Sequence, residues 1–183
     1  MFIENELKIK LEKKEFEFLK SFTDKQPVVQ VNHYFDTLPV LSVMIRIREK
    51  NGLFALQFKK RNSFSDGVIN SVEKGIQVDE AFFREAVKNG LDKNFVKNCF
   101  GCEFDKDLKY LGDAVTERIK FDLFGFQVEL DKTTAEGQSD FELEFEGDDE
   151  DILKLKKRLE ENGIKIVASQ PKFQRFLTIR GLI

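Results

Sequence analysis

Glu4, Glu6, Lys8 and Lys10 alternate along the first ten residues of the chain. Successive side chains of an extended strand point to opposite faces, so these four share one side while Ile3, Leu7, Ile9 and Leu11 share the other. Two carboxylates and two ammonium groups on one pleated face could hold a divalent metal beside a polyanion.

The same alternation returns five more times. Arg46 and Arg48 oppose Ile45 and Ile47, and Gln57 and Lys59 oppose Leu56 and Phe58. Arg118 and Lys120 oppose Ile119 and Phe121, Gln127, Glu129 and Asp131 oppose Val128 and Leu130, and Glu142, Glu144 and Glu146 oppose Phe141, Leu143 and Phe145. Strand by strand, this describes an antiparallel sheet with one packed and one solvated face. Two features of the whole set point elsewhere. Like charges repeat at i and i+2, which is unfavourable unless opposite charges lie between them. The helices also need apolar sheet surface, and only the apolar faces offer it. Eight strands curl readily into a closed barrel, and helices on its outside would leave the ionic faces lining its inside.

The inward set would then be Glu4, Glu6, Lys8, Lys10, Arg46, Arg48, Lys59, Arg118, Lys120, Glu129, Asp131, Glu142 and Glu144, each carboxylate among its like-charged neighbours. Guanidinium forks match phosphate oxygens in pairs, and ammonium groups add point charges. Carboxylates from two strands suit Mg²⁺ or Mn²⁺, hard cations that take oxygen ligands and bridge to phosphates. Together they describe a tri- or polyphosphate site. No G-x-x-x-x-G-K-[ST] loop is present, which excludes a P-loop NTPase.

The elements that must carry these residues can be read from period and turn chemistry. Strands are expected near 2–10, 28–36, 43–50, 53–60, 68–78, 114–121, 124–131 and 139–147. Asn51-Gly52, Ser65-Asp66-Gly67, Gly112-Asp113, Gly125 and Glu136-Gly137 supply turns. Helical spacing predicts helices near 12–22, 79–89 and 149–162, with a looser one over 92–99. Asp148 to Asp151 place acid where the third helix begins, which the helix dipole favours, and Gly163 closes it. No repeat or linker divides the chain, so residues 1–183 are read as one α+β domain: an eight-stranded antiparallel β-barrel with helices packed outside.

Composition narrows the class. The 30 basic and 33 acidic residues nearly cancel, so no global field argues for duplex nucleic acid or a membrane surface. No stretch approaches the roughly 20 apolar residues of a membrane span, and the acidic N-terminus lacks an apolar signal core; the expected location is the cytoplasm. Cys99 and Cys102 form a lone C-x-x-C, and the single histidine, His33, is far away in sequence, so the zinc reading fails for want of ligands and the thiols are expected to be reduced and structural.

At these residues the chain resembles the CYTH superfamily, the triphosphate tunnel metalloenzymes. Glu4, Glu6 and Lys8 match its N-terminal E-x-E-x-K signature, Tyr34-Phe35-Asp36-Thr37 its Y-F-D-T segment, and Ile45-Arg46-Ile47-Arg48 its L-R-x-R strand. Phe58-Lys59 falls at its L-K lysine. Thr116 to Lys120 and Val128 to Asp131 resemble its basic and acidic strands. Phe141 to Glu146 resembles its late E-L-E-x-E strand, and Pro171 to Arg175 its K-x-x-R element. The length and the N-H-Y-F-D-T context are similar to an uncharacterised branch from Gram-positive bacteria. One departure concerns the middle strand, where only Glu73 is available for an acidic position, and Gly75 beside it is a candidate bulge that leaves its face open.

The resemblance implies a charged tunnel acting on a small-molecule triphosphate with Mg²⁺ or Mn²⁺. It implies catalytic roles for Glu4, Glu6, Lys8, Lys59, Arg118, Glu142 and Glu144. Phosphates would be held by Lys8, Lys10, Arg46, Arg48, Lys59, Arg118, Lys120, Lys172 and Arg175, and the metal by Glu4, Glu6, Asp131, Glu142 and Glu144. The expected reaction is hydrolysis of a terminal phosphoanhydride, with a class IV-type adenylyl cyclase and a polyphosphate- or nucleotide-binding module as alternatives. His33 is expected to be structural, and a homodimer is left open.

Overall fold

A computed structural model of the chain describes residues 2–183, with side chains from Asn5 onward. Its strands are β1 (Phe2–Leu11), β2 (Val28–Phe35), β3 (Val43–Lys50), β4 (Leu53–Ser65), β5 (Val68–Val78), β6 (Tyr110–Leu123), β7 (Phe126–Ala135) and β8 (Gln138–Glu146). The helices are α1 (Lys13–Lys20), α2 (Glu80–Asn89), α3 (Lys93–Phe100), α4 (Asp149–Glu161) and α5 (Lys172–Ile179). Around the sheet the order is β1-β5-β4-β3-β2-β6-β7-β8, and β8 pairs back onto β1. The result is a closed antiparallel barrel with no free edge.

Turn chemistry accounts for the meander. Asn51 and Gly52 have φ of 53° and 73°, the two positive values that a type I′ hairpin needs to match strand twist. Glu136 and Gly137 repeat the pattern between β7 and β8, with φ of 48° and 75°. Gly112-Asp113 is not a turn as expected: both residues lie inside β6, which runs for 14 residues. Gly112 sits where the β2–β6 register shifts, and a Cβ there would press on Phe176 and Arg180 of the C-terminal segment at 3.3 Å. It is a packing position.

The outer faces build two cores. Leu7, Ile9, Ile119, Phe121, Val128, Leu130 and Leu143 pack under Phe16 and Leu19 of α1 and Ile152, Leu155 and Leu159 of α4. Ile45, Ile47, Leu56 and Phe58 pack under Ala86 of α2 and Val96 and Phe100 of α3. Each helix thus buries an apolar stripe on the apolar face of the barrel. Asp148 caps α4, accepting from the Asp151 backbone N–H at 2.9 Å. His33 lies on the outer face of β2, against Phe83 and within 3.2 Å of the Tyr110 hydroxyl, where burial lowers its pKa. Cys99 and Cys102 are unpaired, half-buried and packed at the edge of the second core.

Helix α5 was not among the expected elements. It caps one end of the barrel, where Phe173, Phe176 and Leu177 pack on Tyr34, Met44, Ala114 and Ala135. Those three residues have the i, i+3, i+4 spacing of a helical stripe, so the signal was present in a segment read only as a basic motif.

Candidate active site

Alternation places the charged faces inside, and register sets their neighbours. Lys8 lies opposite Glu144, Asp131 opposite both Glu142 and Arg118, and Lys59 opposite Glu73. Lys8, Lys59, Glu73, Arg118 and Glu144 line one open cavity.

One wall is acidic. Asp131, Glu142 and Glu144 are buried, and a carboxylate oxygen from each lies within 4.8 Å of the others. Four cations bind this group. The Lys172 ammonium, from α5, is 2.8 Å from Asp131 and 2.5 Å from Glu144, and also contacts Glu142. Lys8 bridges Glu144 and Glu6. Arg118 Nη2 donates to Asp131 and Glu144, both at 2.5 Å, and its Nη1 meets Glu129. Arg175 donates to Glu142 at 2.9 Å and grips Asp140 with two further nitrogens. Burial opposes charge on Glu144, but Lys172, Lys8 and Arg118 outweigh it and hold the carboxyl well below the usual range. Burial likewise opposes the Lys172 ammonium, and Asp131, Glu142 and Glu144 raise its pKa in spite of it.

The opposite wall is basic and poorly compensated. Arg46 donates its Nε to Gln57 at 2.8 Å and Arg48 to Asn32 at 2.9 Å. Among the described residues neither guanidinium has a carboxylate within ion-pair distance. Burial, with Arg46 and Arg118 nearby, lowers the Arg48 pKa to about 9. Glu73 acts on both guanidiniums only from beyond ion-pair distance, and charge removed from water with so little compensation is unfavourable, so this wall calls for an anion. Buried polar atoms agree: the Tyr34 hydroxyl in the cavity wall, and Asn32 Nδ2 and Ser71 Oγ on the same inward faces, have no hydrogen-bond partner among the described residues. Such atoms ordinarily find a ligand or water. Lys59 joins the walls, 2.7 Å from Glu73 and 3.1 Å from Glu6.

The CYTH domain profile matches residues 3–177. The chain belongs to the CYTH domain family. None of the curated proteins compared matches it. Among solved structures it is similar to a Bacillus halodurans protein proposed as an adenylate cyclase, with 24% identity, coverage of 96% of this chain and 99% of that one, and a TM-score of 0.75. It is also similar to a Hippeastrum protein, proposed as an adenylyl cyclase and described as having a dominant triphosphatase activity: 24% identity, 96% and 95% coverage, TM-score 0.74. A chain of the Schizosaccharomyces pombe Mediator head module shares the architecture at 11% identity, 87% and 96% coverage and TM-score 0.57. At such identities the likeness is one of fold, and function has to be argued from the site.

Within this CYTH barrel the expected residues divide. Glu6, Lys8, Arg46, Arg48, Lys59, Arg118, Glu144 and Lys172 line the cavity, while Asp131 and Glu142 form the buried floor of the acidic wall. Glu73, whose face was left open, lines it too: its ladder with β4 is regular, and the bulge falls further along, between Arg61 and Ser63. Lys10 departs from the expected set, being exposed and outside the cavity wall. Lys120 departs as well; its side chain is 60% exposed and lines a separate opening. Arg175 is behind the acidic wall with its nitrogens engaged by protein oxygens, so its position suits orienting Glu142 rather than meeting phosphate. The Glu4 side chain lies outside the described residues. Arg61 and Tyr34 line the cavity and had not been singled out as ligand-binding. The expectation that each carboxylate sits among like charges fails at Glu144, which three cations surround.

Proposed function

We propose that this CYTH protein hydrolyses the terminal phosphoanhydride of a small triphosphate with a divalent metal. The observation that carries the reading is the pair of guanidiniums, Arg46 buried and Arg48 half-buried, without carboxylate partners among the described residues and in the cavity that Glu144 of the acid cluster also lines.

Arg46 and Arg48 would bind the phosphate chain through charge-assisted hydrogen bonds, with Lys59 and Arg61 as further cations. Arg118 spans the acidic wall and keeps one face toward the cavity, so it can offset charge that develops on the transferring phosphoryl group. Tyr34 offers a hydroxyl with no protein acceptor, suited to a phosphate oxygen. The buried wall limits water around the chain, which strengthens each of these contacts.

The donor set fits Mg²⁺ or Mn²⁺. Asp131, Glu142 and Glu144 offer only hard oxygens, close enough to converge on one ion. When bound there, such an ion would polarise a phosphoryl oxygen as a Lewis acid. The Lys172 ammonium contacts the same three carboxylates, so it would have to move aside for an ion to sit among them.

Incubation of the protein with tripolyphosphate and with ATP, each with Mg²⁺ or Mn²⁺, tests the reading. Orthophosphate release supports it. Cyclic AMP with pyrophosphate would replace it with a cyclase, and binding without product would leave a binding module.

A further inference from the structure

A second cavity opens at the other end of the β2–β3 hairpin. Tyr34 and Met44, at the end of β2 and the start of β3, line the cavity described above. Lys50, at the end of β3, and Gln30, near the start of β2, line this one, together with Lys25, Arg118, Lys120 and Glu129. Lys25 comes from the loop 21–27 joining α1 to β2. Gln30 and Lys50 are direct cross-strand neighbours.

Four cations surround this opening against one carboxylate, and that carboxylate is already in use. Glu129 pairs with Arg118 and lies 3.4 Å from Lys120. Lys25 and Lys50 have no ion pair among the described residues. Gln30 is only 3% exposed and lines the opening, and its amide makes no hydrogen bond to another described residue, so it is available to a ligand there. Clustered positive charge with an available amide N–H is the chemistry that recognises a phosphate oxyanion. Arg118 lines both cavities. An anion in the second would compete for the guanidinium that also holds Asp131 and Glu144.

We infer that this rear opening is a second anion site, built for a phosphate group by Lys25, Lys50, Lys120 and the Gln30 amide, with Arg118 as the wall between it and the inner cavity. The site stands on its own geometry. Its occupant has two sources under the triphosphatase reading: free orthophosphate, or the distal group of a linear polyphosphate longer than three units that passes Arg118.

Lys25→Glu/Lys50→Glu tests the site without touching the inner cavity, and Lys14→Glu/Lys157→Glu makes the same change in net charge elsewhere. Each is titrated calorimetrically with inorganic phosphate in an Arg48→Ala background, which weakens the inner cavity. Phosphate should bind the Arg48→Ala protein and the control at equal affinity, and at least about tenfold more weakly when Lys25 and Lys50 are reversed, as expected for losing charge-assisted contacts. Equal affinity in all three proteins, or no binding to Arg48→Ala alone, would overturn the inference. With Arg48 intact, a longer polyphosphate with a lower KM than tripolyphosphate, an advantage lost on reversing Lys25 and Lys50, supports the site and assigns it to the chain end. No chain-length advantage, with phosphate affinity still lost in the reversal, supports it and assigns it to free orthophosphate. Absent turnover with phosphate binding intact would defeat the hydrolase reading alone.

Discussion

The Lys172 ammonium lies 2.8 Å from the Asp131 carboxylate and touches Glu142 and Glu144 as well. A side chain from the C-terminal helix therefore adds a positive charge that contacts all three acids carried by β7 and β8. The contact ties the cap of the barrel to its floor.

Removing that ammonium should expose the acids' need for a cation. Lys172→Met leaves three buried carboxylates with less compensation, and breaking a buried pair costs about 3–5 kcal/mol. In chelator the variant should melt well below the unsubstituted protein. Mn²⁺ or Mg²⁺ should then raise its melting temperature far more than that of the unsubstituted protein, because binding to the native state alone stabilises it. Equal metal responses in the two proteins would show that no ion uses these carboxylates.

Arg48→Ala should separate binding from stability. The guanidinium has no carboxylate within ion-pair distance among the described residues, and burial and two other arginines already disfavour its charge. Its loss should leave the melting temperature unchanged or higher. If it contacts phosphate, kcat/KM should fall by about 30- to 1,000-fold, corresponding to roughly 2–4 kcal/mol for a charge-assisted contact. Activity unchanged in steady-state kinetics would remove Arg48 from the site.

Glu144→Gln should behave in the opposite way on stability. Lys8, Arg118 and Lys172 all meet this carboxylate, so neutralising it takes one shared counter-charge from three cations held away from water. Turnover should be lost, and the denaturation midpoint should drop in metal-free buffer. Glu6→Gln, which releases Lys8 and Lys59 from one shared partner, should also lose turnover, with a smaller drop in midpoint. Full activity of both variants at saturating Mg²⁺ would exclude them from the chemistry.

Strand alternation made much of this legible. Arg46 with Arg48, and Glu142 with Glu144, declare a face because the side-chain period is two, and closure follows from apolar opposite faces that helices must cover. Alternation gives the side but not the height along the barrel. Lys8 and Lys10 share a side, yet Lys8 is buried among acids and Lys10 is exposed. Lys120 shares a face with Arg118 and lies toward the rear opening. Height depends on register between strands, which the sequence does not display. Lys172 was expected, through the resemblance, to meet phosphate; its contact with the acids was not foreseen because it reaches them from a helix, where no strand periodicity can place it.

Stability should respond to pH in a way set by the same cluster. Burial opposes charge on Glu142 and Glu144, but Lys172 chiefly, with Lys8 acting on both, holds the two carboxyls below their usual range. A depressed carboxyl contributes stability that is fully present above its unfolded pKa of about 4.3 and lost as pH falls through the folded value. Lys8 and Lys172 are raised despite burial, so their contribution is present below about pH 10.4 and lost as pH rises through their folded values. His33, kept neutral by burial, adds a smaller loss below about pH 6.5. Urea midpoints in metal-free buffer should be level from about pH 7 to 9 and fall steeply below about pH 4. Glu144→Gln should flatten the acid limb. A steep limb retained in that variant would place the titrating groups elsewhere.

Substrate choice is the last test, and it follows from what the cavity offers. Its free binding power lies in Arg46, Arg48 and Arg61 and in the Tyr34 hydroxyl, all suited to phosphate oxygens. The apolar residues near the mouth are largely spent on each other: Phe173 is 5% exposed and packs on Tyr34 at 5.1 Å between ring centroids, and Met44 is 8% exposed. Among the described residues that line the cavity, no aromatic face is left open to stack on a base. Tripolyphosphate should therefore be hydrolysed with a kcat/KM at least equal to that for ATP, since binding energy comes from the phosphates alone. Arg46→Ala and Arg48→Ala should each lower both values by a similar factor. Turnover of ATP with none of tripolyphosphate would refute the argument, because the nucleoside would then supply energy that these residues do not account for. In that event the products decide between a nucleoside-specific hydrolase and a cyclase.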